Sequence, residues 1–121
     1  MNIFLNYKKC STCVNAKKWL EKENIEFLDR QIVENRPSVE ELKTYIKKSG
    51  LPLKKFFNTS GILYRELNMK EKFLTLNEDE LLEILASNGM LVKRPLLILE
   101  NDVLIGFKEV EWEKKLKNKS E

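Results

Sequence analysis

The chain has 121 residues, 42% of them hydrophobic and 34% charged, with 22 basic and 19 acidic side chains giving a net charge of +3. That is the size and make-up of one globular domain in an ordinary soluble, cytoplasmic setting: no apolar run is long enough to span a membrane, the N-terminal segment lacks a signal-peptide core, and the intermixed charges do not form a nucleic-acid footprint. Histidine is absent, which excludes imidazole general acid–base catalysis, imidazole-activated nucleophiles and imidazole metal ligands.

Residues 2–6 (NIFLN) read as a short buried strand. Residues 7–10 connect it to a helix capped by Cys10 or Ser11 and running to about Asn24. The helix carries an apolar stripe of Cys13, Ala16, Trp19 and Leu20. Residues 25–30 alternate as a second strand. A helix between two strands lets them lie parallel.

The middle of the chain is helical. Ser38 and Glu41 form a capping box ahead of Val39, Leu42, Tyr45 and Ile46, and Gly50 stops that helix. Residues 51–57 make a short turn, and Asn58-Thr59-Ser60-Gly61 is loop chemistry. Two short helices follow over 62–67 and 69–73. Asn77 and Glu80 cap another, with Leu81, Leu82, Ile84 and Leu85 on its apolar face; Asn88-Gly89 reads only as its stop. Phe56, Phe57, Tyr64 and Leu67 read as core by burial preference, and Lys54 and Lys55 as surface.

The last third changes period. Residues 95–99 form a strand, Asn101-Asp102 a two-residue turn and residues 103–105 the return strand of a hairpin. Gly106 breaks it. A final helix from Glu109 to about Lys117 offers Val110, Trp112 and Leu116 as inward residues, and the basic stretch Lys114 to Lys119 suits a helix C-terminus. Trp19 and Trp112 read as packing anchors. The order is βαβ, a helical middle, then ββα. It predicts one α/β domain over 1–121, and a helix-crossed strand pair with a hairpin is the thioredoxin arrangement.

The only two cysteines stand in Cys10-Ser11-Thr12-Cys13, at a strand-to-helix junction. At a helix N-cap the free N–H groups and the macrodipole stabilise a thiolate, so Cys10 is the nucleophile candidate. Cys13 sits one turn on, placed to attack a sulfur bound to Cys10 and close a disulfide. Ser11 and Thr12 are small and leave the backbone donors open, and Lys8 and Lys9 add positive charge. Structural zinc needs four ligands; two cysteines without histidine would require carboxylates or a second chain. Idle thiols are the remaining alternative. A C-x-x-C beside a βαβ pattern favours redox use, with no metal or other cofactor. Lys93-Arg94-Pro95 precedes the late strand, and a cis Pro95 would hold the Arg94 guanidinium near Cys10.

YxKCSTCxxAKKWL at the start, LPLKKFFNTSGxxYREL in the middle, and NGMLVKRPLLI with GFKEVEW at the end resemble the arsenate reductase-like (ArsC/Spx/MgsR) family over essentially the whole chain. The resemblance implies a thioredoxin-like fold with a helical insertion at about 35–89, Cys10 as the nucleophile, and Arg94-Pro95 as the arginine and cis-proline beside it. It departs from the arsenate reductases at Asn6, where they carry histidine. It departs again at Ser11-Thr12-Cys13-Val14, where they carry Gly-Thr-Ser-Arg. Two of their three arginines fall at Asn58 and near Phe107 or Lys108. If arsenate were the substrate, Asn58, Arg94 and Lys108 would cradle it. The added Cys13 resembles the Spx side. Two functions follow. One is a thiol–disulfide oxidoreductase reset by a thioredoxin, a glutaredoxin or a low-molecular-weight thiol. The other is a redox-switched regulator binding the RNA polymerase α subunit. Asn58 and Ser60 are the site candidates of the middle loop.

Overall fold

A computed structural model describes residues 1–117. Lys119, the end of the basic stretch, lies outside the described residues; Lys114, Lys115 and Lys117 stand in the last turn of the final helix. Among the described residues no helix is long and apolar enough to cross a membrane.

Strand β1 (Ile3–Asn6) leads through a short loop into helix α1 (Ser11–Lys22) and strand β2 (Leu28–Gln31). Helices α2 (Val39–Ser49), α3 (Ile62–Glu66), α4 (Met69–Thr75) and α5 (Glu78–Ser87) follow, with 3₁₀ turns at Leu53–Phe56 and Gly89–Leu91. Strands β3 (Leu96–Ile98) and β4 (Val103–Ile105) and helix α6 (Glu109–Lys117) complete the chain. The sheet has four strands in the order β2-β1-β3-β4. β1 and β2 are parallel, with Ile3 opposite Leu28; β1–β3 and β3–β4 are antiparallel. The α1 crossover makes the parallel pair possible, since parallel strands cannot be joined by a tight turn. This is the thioredoxin-like α/β arrangement that the order of elements predicted.

Alternation along the strands divides the core in two. Leu5, Leu96, Ile98 and Val103 face the helical insertion and join Leu42, Tyr45, Phe56, Phe57, Leu82 and Leu85. Phe4, Leu97 and Leu104 face the other way, onto Ala16, Trp19 and Leu20 of α1 and Trp112 of α6. Burial on both faces is why residues 95–99 read as a continuous apolar run.

The capping signals are all realised. The Ser38–Glu41 and Asn77–Glu80 boxes are both formed, and Gly50 closes α2 in the left-handed region. Other boundaries differ from the sequence expectation. The second strand begins at Leu28, not residue 25. Asn24 takes a left-handed φ of 58° and the Ile25 N–H returns to the Leu20 carbonyl, so these residues finish α1 instead of extending β2. The hairpin pairs Ile98 with Val103, and the Leu99 N–H donates to the Asp102 carbonyl, so the two-residue turn is Glu100-Asn101, one residue earlier than expected. Val110 points outward at 77% exposure. It lies two positions from buried Trp112, and residues two apart on a helix do not share a face.

Gly89 does more than stop α5. It is buried, and a Cβ there would lie 1.9 Å from the Ile32 carbonyl oxygen. The backbone after β2 and the turn before β3 touch at this point. Gly89→Ala must push two backbones apart, and overpacking of this kind costs about 3 kcal/mol. The expected result is a urea midpoint well below that of the parent protein; an unchanged midpoint would contradict the close approach.

Candidate functional site

Cys10 is the N-cap of α1, in extended conformation, and its Sγ accepts a hydrogen bond from the Cys13 N–H at 3.4 Å. The Cys10 N–H donates to the Tyr7 carbonyl at 3.0 Å, which shapes the turn from β1 into α1. A thiol at this cap meets the free donors of the first helical turn. Both cysteines are free: Cys10 is half-buried and Cys13 is buried on the apolar face of α1. Burial pushes the Cys10 thiol up. Hydrogen bonds from the Cys13 side chain and backbone, the Arg94 charge and the Thr12 N–H outweigh that effect, and Cys10 stands below its ordinary value. Burial drives Cys13 the other way, up to about 12, against a backbone hydrogen bond from Tyr7. The pair is therefore polarised into one accessible, acidic thiol and one buried, protonated partner.

Arg94 stands opposite. The Arg94–Pro95 bond is cis, in keeping with the expectation for Pro95. The guanidinium lies over the Tyr7 ring at 5.3 Å and donates to the Met90 carbonyl at 3.3 Å. Buried Pro95 accepts from the Gly106 N–H at 2.9 Å, fixing its segment to the start of the loop before α6.

The middle loop reaches this site through a pairing invisible to local sequence patterns. Phe57 and Val92 form an antiparallel bridge, flanked by Asn58 N–H to Leu91 carbonyl (2.7 Å) and Lys93 N–H to Phe56 carbonyl (2.8 Å). That clamp sets Asn58 beside Arg94. Cys10, Thr12, Asn58, Ser60 and Arg94 thus line one cleft of about 610 Å³. Ser11 is exposed in the first turn of α1 and is not among the residues lining the cleft. Lys108 does not join Asn58 and Arg94 there. It lies in a neighbouring cleft with Phe107, and the expected three-residue cradle does not converge on Cys10.

Ile62, Leu63, Glu66 and Met90 complete the wall around Cys10, and none of them was singled out for the site from the sequence. Ile62 directly follows the Asn58-Thr59-Ser60-Gly61 loop, and the structure leaves this apolar side chain 73% exposed at the start of α3. Asn6 is buried and turned to β2. Its amide donates to Asp29 at 2.8 Å and accepts from Gln31 at 2.9 Å, while Gln31 in turn accepts from the Lys8 N–H at 3.0 Å. Lys17 pairs with Asp29 at 2.9 Å. This network ties β1, β2 and α1 to the loop that delivers Cys10.

The model of the ArsC family matches this chain over residues 5–115. The chain belongs to the ArsC family. The uncharacterized protein YusI of Bacillus subtilis is 57% identical over 110 residues, which covers 91% of this chain and 93% of YusI. The global transcriptional regulator Spx 2 of Bacillus cereus is 29% identical over 114 residues, covering 94% of this chain and 86% of that protein. The crystal structure of an ArsC family related protein from Bacteroides fragilis superposes with a TM-score of 0.88 at 57% identity, over 93% of this chain and 95% of that one.

Proposed function

We propose that this ArsC-family protein is a cytoplasmic thiol–disulfide oxidoreductase. The observation that carries this reading is the opposed pair: Cys10 at the helix cap, lowered by its donors and Arg94, and Cys13 buried behind it, pushed up to about 12. The Cys10 thiolate attacks one sulfur of a substrate disulfide. A Cys10–substrate disulfide forms and the other substrate half leaves as a thiolate that takes up a proton. Cys13 loses its proton and attacks the Cys10 sulfur, which expels the remaining half. The substrate gains two electrons and the pair ends as a Cys10–Cys13 disulfide. A thioredoxin, a glutaredoxin or a low-molecular-weight thiol then returns the pair to the reduced state. Thr12 and Arg94 stabilise the Cys10 thiolate, Asn58 lines the cleft beside it, and Pro95 belongs to the segment that carries Arg94.

Arsenate fits less well as the oxidant. A tetrahedral dianion calls for several charged donors, and the Cys10 cleft offers Arg94 and Lys93 beside the carboxylate of Glu66.

The test is alkylation against pH, read by peptide mass spectrometry. Cys10 is expected to react with a midpoint below that of the same cysteine in the urea-unfolded chain, and Cys13 to stay protected until strongly alkaline pH. Equal profiles for the two thiols would overturn the polarised pair.

The resemblance to Spx 2 over nearly the whole chain favours a second reading, a redox-switched regulator that binds the RNA polymerase α subunit. Capture of the α subunit in only one redox state would support it. Absence of binding in both states would rule it out.

A further inference from the structure

Beside the Cys10 cleft lies a larger one of about 900 Å³, and the two share Thr12, Lys93 and Arg94 as a common ridge. The larger cleft does not contain Cys10. Its walls carry Lys54, Lys55, Lys93, Arg94 and Lys108 against a single carboxylate, Glu111. Among the described residues none of these five cations is ion-paired. Lysines scattered over a surface are usually solvated and mean little. Here residues distant in sequence converge on one concavity, brought there by the Phe57–Val92 bridge and by the bond from Gly106 to Pro95. Phe107 and Ile105 give it an apolar floor. A concave, predominantly cationic cleft concentrates anionic ligands, and its volume is in the range of small-molecule sites. Both clefts are partly apolar and each carries one carboxylate, but the Cys10 cleft has only Lys93 and Arg94 as cations, where the larger one adds Lys54, Lys55 and Lys108.

We propose that the larger cleft binds the anionic half of the disulfide substrate, and that this half is a low-molecular-weight thiol carrying two or more carboxylates. This rests on the thiol-exchange reading above and specifies its substrate. With a disulfide sulfur against Cys10, the carboxylated half crosses the ridge and meets the lysines. The chemistry is the exchange already written: the Cys10–sulfur bond forms, the substrate disulfide breaks, and the departing thiolate takes up a proton.

The experiment mixes the fully reduced protein with three disulfides in separate single-turnover runs. They are oxidised glutathione (anionic), 2-hydroxyethyl disulfide (neutral) and cystamine (cationic). Each rate constant is divided by the rate of the same disulfide with a simple thiol, which removes intrinsic reactivity. The normalised rate with oxidised glutathione is expected to exceed that with cystamine by about tenfold or more at low salt and to converge with it at high salt. The variant K54E/K55E/K108E is expected to lower the glutathione-to-hydroxyethyl ratio about tenfold. Circular dichroism verifies that the variant is folded, and the parent protein's charge and salt dependence tests the proposal without it. Normalised rates that are equal across the three disulfides would overturn the cleft assignment and leave thiol exchange standing. No reaction with any of the three would overturn thiol exchange itself, and the assignment with it.

Discussion

Cys10→Ser is expected to lose all measurable reaction with disulfides, while Cys13→Ser is expected to keep the first step and stop there. The asymmetry follows from the geometry. Thiolate is the attacking species, and Cys10 alone is both accessible and lowered by its surroundings. A serine hydroxyl at the helix cap still accepts the Cys13 N–H, so Cys10→Ser should fold normally. It has no ionised nucleophile near neutral pH. Removing Cys13 takes away the resolving thiol and leaves the cap, the Arg94 charge and the Thr12 donor in place. The Cys13→Ser protein should therefore accumulate a stable mixed disulfide on Cys10, visible as one added substrate mass. If Cys13→Ser turned over like the parent, the second thiol would have no resolving role. If Cys10→Ser still formed an adduct on Cys13, the assignment of nucleophile would be reversed.

Trp112→Ala is expected to be the most destabilising substitution in the face of the sheet that carries α1. Trp112 is fully buried and meets Phe4, Trp19 and Phe107 edge-on, at ring separations of 6.4, 6.3 and 4.9 Å. Its indole N–H donates to the Gly106 carbonyl at 2.9 Å. Truncation leaves a large cavity among rings that cannot close over it and an acceptor without its donor. Losses of about 3–5 kcal/mol are usual for such changes. For a chain of this size that lowers the melting temperature by roughly 15 °C, a scale set by the entropy of unfolding. The consequence reaches the site, because the Gly106 N–H also holds Pro95 and Phe107 floors the cationic cleft. Thermal unfolding followed by circular dichroism measures the effect; a melting temperature within a few degrees of the parent would show that α6 is not an anchor of the fold.

What the sequence discloses is mostly what is local along it. Cys10 as the helix cap, the two capping boxes and the Gly50 stop each depend on residues within one turn of one another, and all are present. The βαβ start and the hairpin follow from apolar period and from connection length. Some errors are local: Asn24 and Ile25 finish α1 through a bond back to Leu20, and Val110 lies off the face of α6 that Trp112 buries. Others arise where tertiary contact decides. Gly89 has an ordinary helix-stop signature, and its packing on Ile32 depends on two segments far apart in the chain.

The site shows the same division. Cys10, Cys13 and Arg94 are legible because each sits in a recognisable local motif. The wall made by Ile62, Glu66 and Met90, and the separation of Lys108 from Asn58, are set by the pairing of residues 56–58 with 91–93. No periodicity in either segment announces that pairing.

In the proposed mechanism Cys10 and Cys13 act as one redox unit. Equilibration in glutathione buffers of graded potential, followed by acid trapping and a mass tag on free thiols, tests it directly. A single two-electron transition in which both thiols disappear together, with no added glutathione mass, is the predicted result. Two thiols that remain taggable into strongly oxidising buffer, or a lone glutathione adduct on Cys10 beside a free Cys13, would contradict it.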